Sequence, residues 1–588
     1  MSEILKFYPN AQPMREQLLS RAADEYEDII GDVGEDLALN LEAARTQMRL
    51  GEVRKMIQQY RRSEEAYDKA LHALASLVKL HPENPEIRLD LAKCKISFGL
   101  LYTLLGRHVE AAKAFTDAEE QLTQVPGLDG QETLAGMRSN YGQLLRETGS
   151  LDAALAELQK AEAGFTSLVQ TDLAERYREG LAITHREMGH VYSLLGRTAE
   201  ASESLRAAVI EFRTLLSDKH AHPPYLEGLA NARMLLANTL RAAGPDDEII
   251  DSYQACIADY EALLQNQPGV PHYRENLALA RTNLAQMLYR VEQSAEAKPY
   301  AYAAAKEFDD MAMSFWDIPR FREQKAACYA TTGMILRDLN EDQGAFAAFN
   351  LALEEFRLLR NEFPESAFYL RREAISKTGQ ARLLQRQGQY EEARELLQDA
   401  IDGLKRVIVD GLDIPHTRHS LAWCYTHMGD VLRADGKSEA AQVFYSQALQ
   451  EREQLQEEPE HLQAFVMLLA NCPDADLRNT QRAVELAKDA LDISPGNYKT
   501  RQALALAHLR HGNFPDCLKE IRTTIEFRKF PSAADHFIQA MAAHHSGDAK
   551  AAQTSFDLGA GIMQQHCPGR IELVALRDEA QRLLAPAP

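Results

Sequence analysis

Residues 99–118 read GLLYTLLGRHVEAAKAFTDA. Within that stretch Gly99, Tyr102, Gly106, Ala111, Phe115 and Ala118 describe two helices joined by a corner. A small residue inside the first helix lets a neighbouring helix approach closely. Gly106 suits the left-handed residue that ends a helix. Ala111, Phe115 and Ala118 are spaced by 4, 3 and 7 residues, so they share one face of the second helix. One hairpin cannot bury that face alone, so copies must stack against one another.

The copies are present. With Gly99 numbered as position 8, the same position falls at Gly51, Gly99, Gly142, Gly189, Ala237, Ala285, Gly333, Ala381 and Gly429. The steps are 48, 43, 47 and then 48 five times in succession, which chance does not produce. Gly189 brings Tyr192, Gly196, Ala201, Leu205 and Ala208. Gly333 brings Leu336, Asn340, Ala345, Phe349 and Ala352, and Gly429 brings Leu432, Gly436, Ala441, Tyr445 and Ala448. A second recurrent form precedes the first helix: PEIRLDLA (85–92), PYLEGLA (224–230), PHYRENLA (271–278), FYLRREA (368–374) and PHTRHSLA (415–422). Proline ahead of Leu or Ala fits an N-terminal extension of that helix. The 43-residue step is assigned to a shorter, turn-rich link around Pro126, Gly127, Asp129 and Gly130.

The reading outward from the repeat gives this organisation. A leading helix falls in residues 1–36, within PMREQLLSRAADEYEDIIGDV (13–33). Nine long units occupy 37–450, and an acidic linker follows at 451–461. Three short units of 34–35 residues occupy 462–566, the first interrupted by Pro473. A capping helix and tail close the chain at 567–588. The fold class is all-α, about twelve stacked helical hairpins.

Composition sets the limits. In 588 residues there are 87 acidic against 65 basic side chains, a formal net charge of −22, which argues against a binder of bulk nucleic acid. Hydrophobic residues make up 45%, too many for global disorder. No apolar run approaches the length of a membrane span, and the start has no secretory pattern. The seven cysteines are scattered and never spaced CxxC, so they read as reduced thiols in a cytoplasmic protein.

These residues resemble the tetratricopeptide repeat, which has small residues at 8, 20 and 27 and large ones at 7, 11 and 24. Its usual period is about 34 residues. The excess of about 14 is close to four helical turns, two added to each helix. The resemblance implies a right-handed superhelix. The long units, followed by LANCPDADLRNTQRAVELAKDALDISPGN (469–497) and ALAHLRHGN (505–513), also look like the C-terminal repeat region of bacterial (planctomycete-type) receptor serine/threonine kinases. A kinase domain is not part of the pattern: there is no His-Arg-Asp loop, Asp-Phe-Gly, Ala-Pro-Glu or glycine-rich nucleotide loop.

Two stretches imitate chemistry. GDVLRADGKS (429–438) ends like a phosphate loop, but six residues separate its glycines where a Walker loop needs four. Both glycines already serve as positions 8 and 15. HTRHSLAWCYTH (416–427) holds His416, His419, Cys424 and His427 but coincides with an ordinary first helix. No catalytic, metal or cofactor site is expected.

The binding signal is stronger. In the family that the repeat resembles, first-helix positions near 2, 5, 9, 12 and 13 line a concave groove. Position 12 carries Arg146, Arg241, Arg337 and Arg433, one in every second unit. Arg186, Arg290, Arg382 and Arg386 add to the stripe, and Asn238 and Gln286 could bond an extended backbone. Arginine suits carboxylate or phosphate because its fork reaches two oxygens. An alternative explanation stays open: a cation in the last helical turn is favoured by the helix dipole by about 0.3–1 kcal/mol. Trp316, flanked by Phe315 and Phe321, is expected to pack as a connector.

The sequence thus predicts a non-enzymatic interaction scaffold that binds an extended, acidic or phosphorylated protein segment in its groove. The alternatives are a regulatory module for a serine/threonine kinase system and an assembly chaperone.

Overall fold

A computed structural model describes Arg21 and residues 37–585, apart from 173–174, 219–221, 242–243, 410, 412–413, 456–458, 494–496 and 531. The leading helix expected within 1–36 therefore lies outside the described residues. Among those described, the regular structure is helical throughout.

The long hairpins are α1 (Leu37–Met56) with α2 (Tyr60–Leu80), α3 (Pro85–Leu104) with α4 (His108–Leu122), α5 (Leu128–Glu147) with α6 (Leu151–Thr171), and α7 (Glu175–Leu194) with α8 (Thr198–Asp218). They continue as α9 (Pro223–Leu240) with α10 (Asp246–Asn266), α11 (Pro271–Arg290) with α12 (Ser294–Ser314), α13 (Pro319–Asp338) with α14 (Asp342–Glu362), α15 (Ala367–Arg386) with α16 (Tyr390–Val409), and α17 (Ile414–Ala434) with α18 (Ser438–Glu453). The short hairpins are α19 (Pro459–Asn471) with α20 (Thr480–Ile493), α21 (Tyr498–His511) with α22 (Phe514–Phe527), and α23 (Ala533–His545) with α24 (Ala549–His566), followed by α25 (Ile571–Leu584). The fold is an all-α array of about twelve stacked hairpins, as the periodicity predicts. It forms two compact units, one of residues up to Thr239 with Ala255–Arg274, the other of Leu240–Gln254 with Glu275 onward.

Positions 8 and 24 explain the hairpin. A Cβ on Gly99 would stand 2.8 Å from the Phe115 ring, and one on Gly429 would stand 2.6 Å from Tyr445. Both distances are shorter than real contacts allow, so glycine is what lets each ring lie across the first helix. Ala111, Phe115 and Ala118 are fully buried beneath it. Burying a Phe in this way stabilises by about 1.5–3 kcal/mol relative to leaving it exposed.

The corner at position 15 is equally regular. Gly106, Gly196, Gly388 and Gly436 have φ between 71° and 77°, and Gln58, Glu292 and Asn340 adopt the same left-handed conformation at 60–66°. In each, the next N–H reaches back across the corner, as Arg107 N to Tyr102 O at 2.8 Å and Lys437 N to Leu432 O at 2.8 Å. That closes the first helix in a Schellman motif.

The long period has its own purpose. Tyr273 of PHYRENLA donates to Glu227 at 3.1 Å, and Tyr225 and Tyr369 reach Glu179 and Glu323 at 3.5 Å. The added turns thus tie these three first helices to the ones before them.

Two expectations are corrected. The 43-residue step is not a shorter link: α4 itself has 15 residues where α6 has 21. Trp316 does not pack: it is 75% exposed, while Phe315 and Phe321 pair without it at 5.6 Å. At Pro473 the chain leaves α19 and makes a 3-10 turn at Ala475–Leu477 before α20.

Candidate functional site

In the first unit, Arg146 and Arg186 converge on one buried carboxylate. Arg146 Nε lies 3.3 Å from Glu187 Oε2, and Arg186 donates to Glu187 Oε1 at 3.0 Å. Both arginines stay half-exposed, and Asn238 is exposed on α9. Glu187 balances part of their charge, so this end of the stripe is a paired cluster with its outer edge open.

In the second unit the arginines at position 13 share one geometry. Arg290 Nη1 donates to the carbonyl of Arg241 at 2.8 Å, and Nη2 to Asp246 at 3.4 Å. Arg386 Nη1 donates to the carbonyl of Arg337 at 2.8 Å, and Nη2 pairs with Asp342. Each therefore clamps the end of the preceding first helix to the start of its second helix. The cation sits where the unsatisfied carbonyls of a helix end favour it.

Position 12 divides. Arg241 donates to Asn283 at 3.5 Å and to Gln286 at 3.3 Å, and Gln286 passes a bond to Thr331 at 3.4 Å. Arg337 is 1% exposed and donates to Asp338 at 2.8 Å and to the Tyr289 hydroxyl at 3.1 Å. Arg433 is exposed and makes no hydrogen bond or ion pair among the described residues.

What covers Arg337 is the chain's own C-terminal part. Gly569 donates its N–H to the carbonyl of Asp338 at 2.7 Å and accepts from Arg386 at 3.2 Å. A Cβ on Gly569 would fall 2.2 Å from Asn340 Oδ1, so the turn fits this corner only as glycine. Arg570 donates to the carbonyl of Tyr289 at 2.9 Å and lies over that ring at 5.0 Å. Glu572, in the first turn of α25, pairs with Arg382. Further along, Lys529 pairs with Asp251 at 2.9 Å, and Tyr498 donates to Asp246. Glu292 accepts from Ser532 Oγ at 2.7 Å and from Ala533 N at 2.8 Å.

The electrostatics follow from this placement. Glu572 is more than half exposed, and contact with its arginine neighbours outweighs the partial loss of water: Arg382, Arg570 and Arg337 hold its carboxyl well below the usual carboxylate range. Burial works against the Arg337 charge, and Tyr289, Asp338 and Glu572 more than restore it. Burial, then Arg290, pushes the Lys499 ammonium down to about 7.

The imitative motifs resolve otherwise. Gly436 is a corner residue at φ 77°, and Lys437 pairs with Asp435 at 2.7 Å. Cys424 meets Thr378 at 3.3 Å, and His427 meets Asp430 at 3.0 Å, so neither joins His416 and His419. Those two instead approach His461 of α19, with ring centroids at 6.0 and 4.4 Å. All seven cysteines are free and buried. Burial pushes the Cys328 thiol up to about 12 and Cys424 up to about 11, which keeps them protonated and unreactive. Among the described residues no helix is long and apolar enough to cross a membrane.

Sequence reasoning did not find Glu292, Gly569, Arg570, Glu572 or His461. Glu292 left a signal, since it stands at position 15 where most other units carry glycine. The others carry no periodic mark.

Sequence models of the tetratricopeptide repeat match residues 372–450 and 61–102, so both segments carry such repeats. No curated protein matches the sequence. Among solved structures, the chain is similar to BtubC from P. vanneervenii, at 19% identity over 43% of this chain and 90% of that one, with a TM-score of 0.33. It is similar to yeast Tom70 at 13% identity over 92% and 96%, with a TM-score of 0.37. It is similar to the apo form of RapI at 14% identity over 71% and 99%, with a TM-score of 0.43. The kinase-linked reading rests on the motif resemblance alone.

Proposed function

We propose that this chain is a non-catalytic protein-interaction scaffold that holds an extended acidic or phosphorylated segment on the arginine-bearing ends of its first helices. The observation that supports the reading is the seat of Glu572. The Glu572 carboxylate, itself more than half exposed, is placed on the buried Arg382, and Arg382, Arg570 and Arg337 favour its charged form. An arginine fork that accommodates this carboxylate is chemically suited to one from another chain, or to phosphate. Arg433, exposed and without a hydrogen bond or ion pair among the described residues, offers a second such fork, so a partner would be read at more than one point. The pre-formed surface reduces the ordering cost of binding.

The test is a pull-down with the full chain beside an Arg382→Glu/Arg433→Glu variant, each washed at low and high salt. The reading expects a small set of partners lost from the variant and weakened by salt. Partners retained by the variant and indifferent to salt would overturn it. A kinase among the lost partners would favour the regulatory role.

A further inference from the structure

The contacts between residues 498–572 and the long repeats of the second unit have an unusual character. They include Tyr498 on Asp246, Lys529 on Asp251, Ser532 and Ala533 on Glu292, Gly569 on Asp338, and Glu572 on Arg382. These are polar contacts between elements up to 281 residues apart. The Lys529–Asp251 pair is half-exposed on both sides, and pairs of that kind contribute about 0–1 kcal/mol. Water and competing ions can replace that pair, whereas the bonds made by Glu292 and Tyr498 are buried.

Glu292 shows that the contact is nonetheless built in. The corner it occupies is left-handed, and most other units place glycine there. A non-glycine residue in that conformation costs about 1 kcal/mol or more. What this chain gains is a carboxylate that accepts two hydrogen bonds at the N-terminus of α23, where negative charge is favoured. At the other end, the Gly569 turn has no room for a side chain against Asn340, Arg386 and Arg337.

We infer that the C-terminal repeats are a built-in occupant of the acidic-segment site. Glu572 and the Gly569 turn fill the seat on Arg382 and Arg386, and an acidic segment of a partner gains that seat by displacing them once Asp246, Asp251 and Glu292 release residues 498–533. This rests on the reading of the arginines as an acidic-segment site. The seat and the tether are separate groups, so each can be altered alone. Glu292→Gly restores the repeat's usual corner while removing both tethering bonds, and Lys529→Glu sets two carboxylates against each other at an exposed point.

The experiment uses the full chain and a fluorescein-labelled synthetic peptide, PGRIELVALR, that copies residues 568–577. Binding is read by anisotropy and closure by hydrogen exchange of amides 571–584. The proposal expects both tether variants to exchange faster there and to bind the peptide at least about tenfold more tightly than the wild type. Asp251→Lys combined with Lys529→Glu should return both readings towards wild type. Arg382→Glu added to an open variant should abolish binding, and a peptide with Gln in place of Glu572 should bind about tenfold more weakly. Equal exchange in wild type and both tether variants would overturn the built-in occupant, whatever the peptide does. Faster exchange without peptide binding would leave the tether standing but overturn the acidic-segment site, and with it the competition inferred here.

Discussion

Glu292 and Ser532 lie 240 residues apart in the chain and 2.7 Å apart in space, the carboxylate accepting from the hydroxyl. The same carboxylate accepts from Ala533 N at 2.8 Å, so a residue of one hairpin corner caps the helix of another repeat. Its backbone, at φ 66°, is the price of that placement.

The cost can be separated from the gain. Glu292→Ala keeps the left-handed strain and loses both bonds, whereas Glu292→Gly loses the bonds and relieves the strain. The glycine variant is expected to be more stable than the alanine variant by about 1 kcal/mol, read from urea denaturation midpoints followed by circular dichroism.

Positions 8 and 24 make a second prediction. Gly99→Ala drives a Cβ into the Phe115 ring, 2.8 Å away, and should destabilise by about 1–3 kcal/mol. Adding Phe115→Leu should recover part of the loss, because another unit already combines alanine at position 8 with leucine at position 24, Ala381 with Leu397, both fully buried. Thermal unfolding of the single and double variants checks it.

The arginine clamp predicts that charge alone is insufficient. Arg386 donates to Arg337 O at 2.8 Å, to Asn340 Oδ1 at 2.9 Å and to Gly569 O at 3.2 Å while pairing with Asp342. Arg386→Ala should cost about 2–3 kcal/mol, and Arg386→Lys should recover less than half, because an ammonium lacks the planar fork. Denaturation midpoints measure both, and faster exchange of amides 571–584 should accompany the loss.

His419 gives a pH dependence. Burial first, then Arg452, His461 and His416, hold its imidazole down at about 3 from an ordinary 6.5. As pH falls through 6.5 the unfolded chain takes up a proton that the folded chain refuses, so stability is lost progressively towards pH 3. Asp535, pushed up to about 6 chiefly by burial, slopes the other way: its contribution falls as pH rises from 3.8 to 6. His419→Gln should therefore lose less stability on acidification than the wild type, and the difference in Tm between pH 7 and about 4.5 isolates the histidine.

The architecture was legible because it is local and repeated. Gly99 facing Phe115, the turn at Gly106 and the buried pair Ala111 and Ala118 each depend on residues within one hairpin, and the array multiplies that signal. Trp316 and α4 were misread because a loop side chain's burial and a helix's length depend on neighbours that the periodicity does not name. Of the arginines, the sequence supplied the stripe but not its partners. Arg290 and Arg386 clamp carbonyls 49 residues earlier, an ordinary inter-repeat distance.

By itself, then, the sequence determined the hairpin, its period, its corners and the recurrence of arginine, since all of these are set by side-chain size, helical phase and backbone conformation over a few turns. Only the tertiary structure decided that Arg337 is buried, that Arg382 holds Glu572 and that Glu292 holds residue 533. Those contacts join segments 190 to 241 residues apart. No local preference encodes such a pairing, which exists only once stacking has brought the two surfaces together.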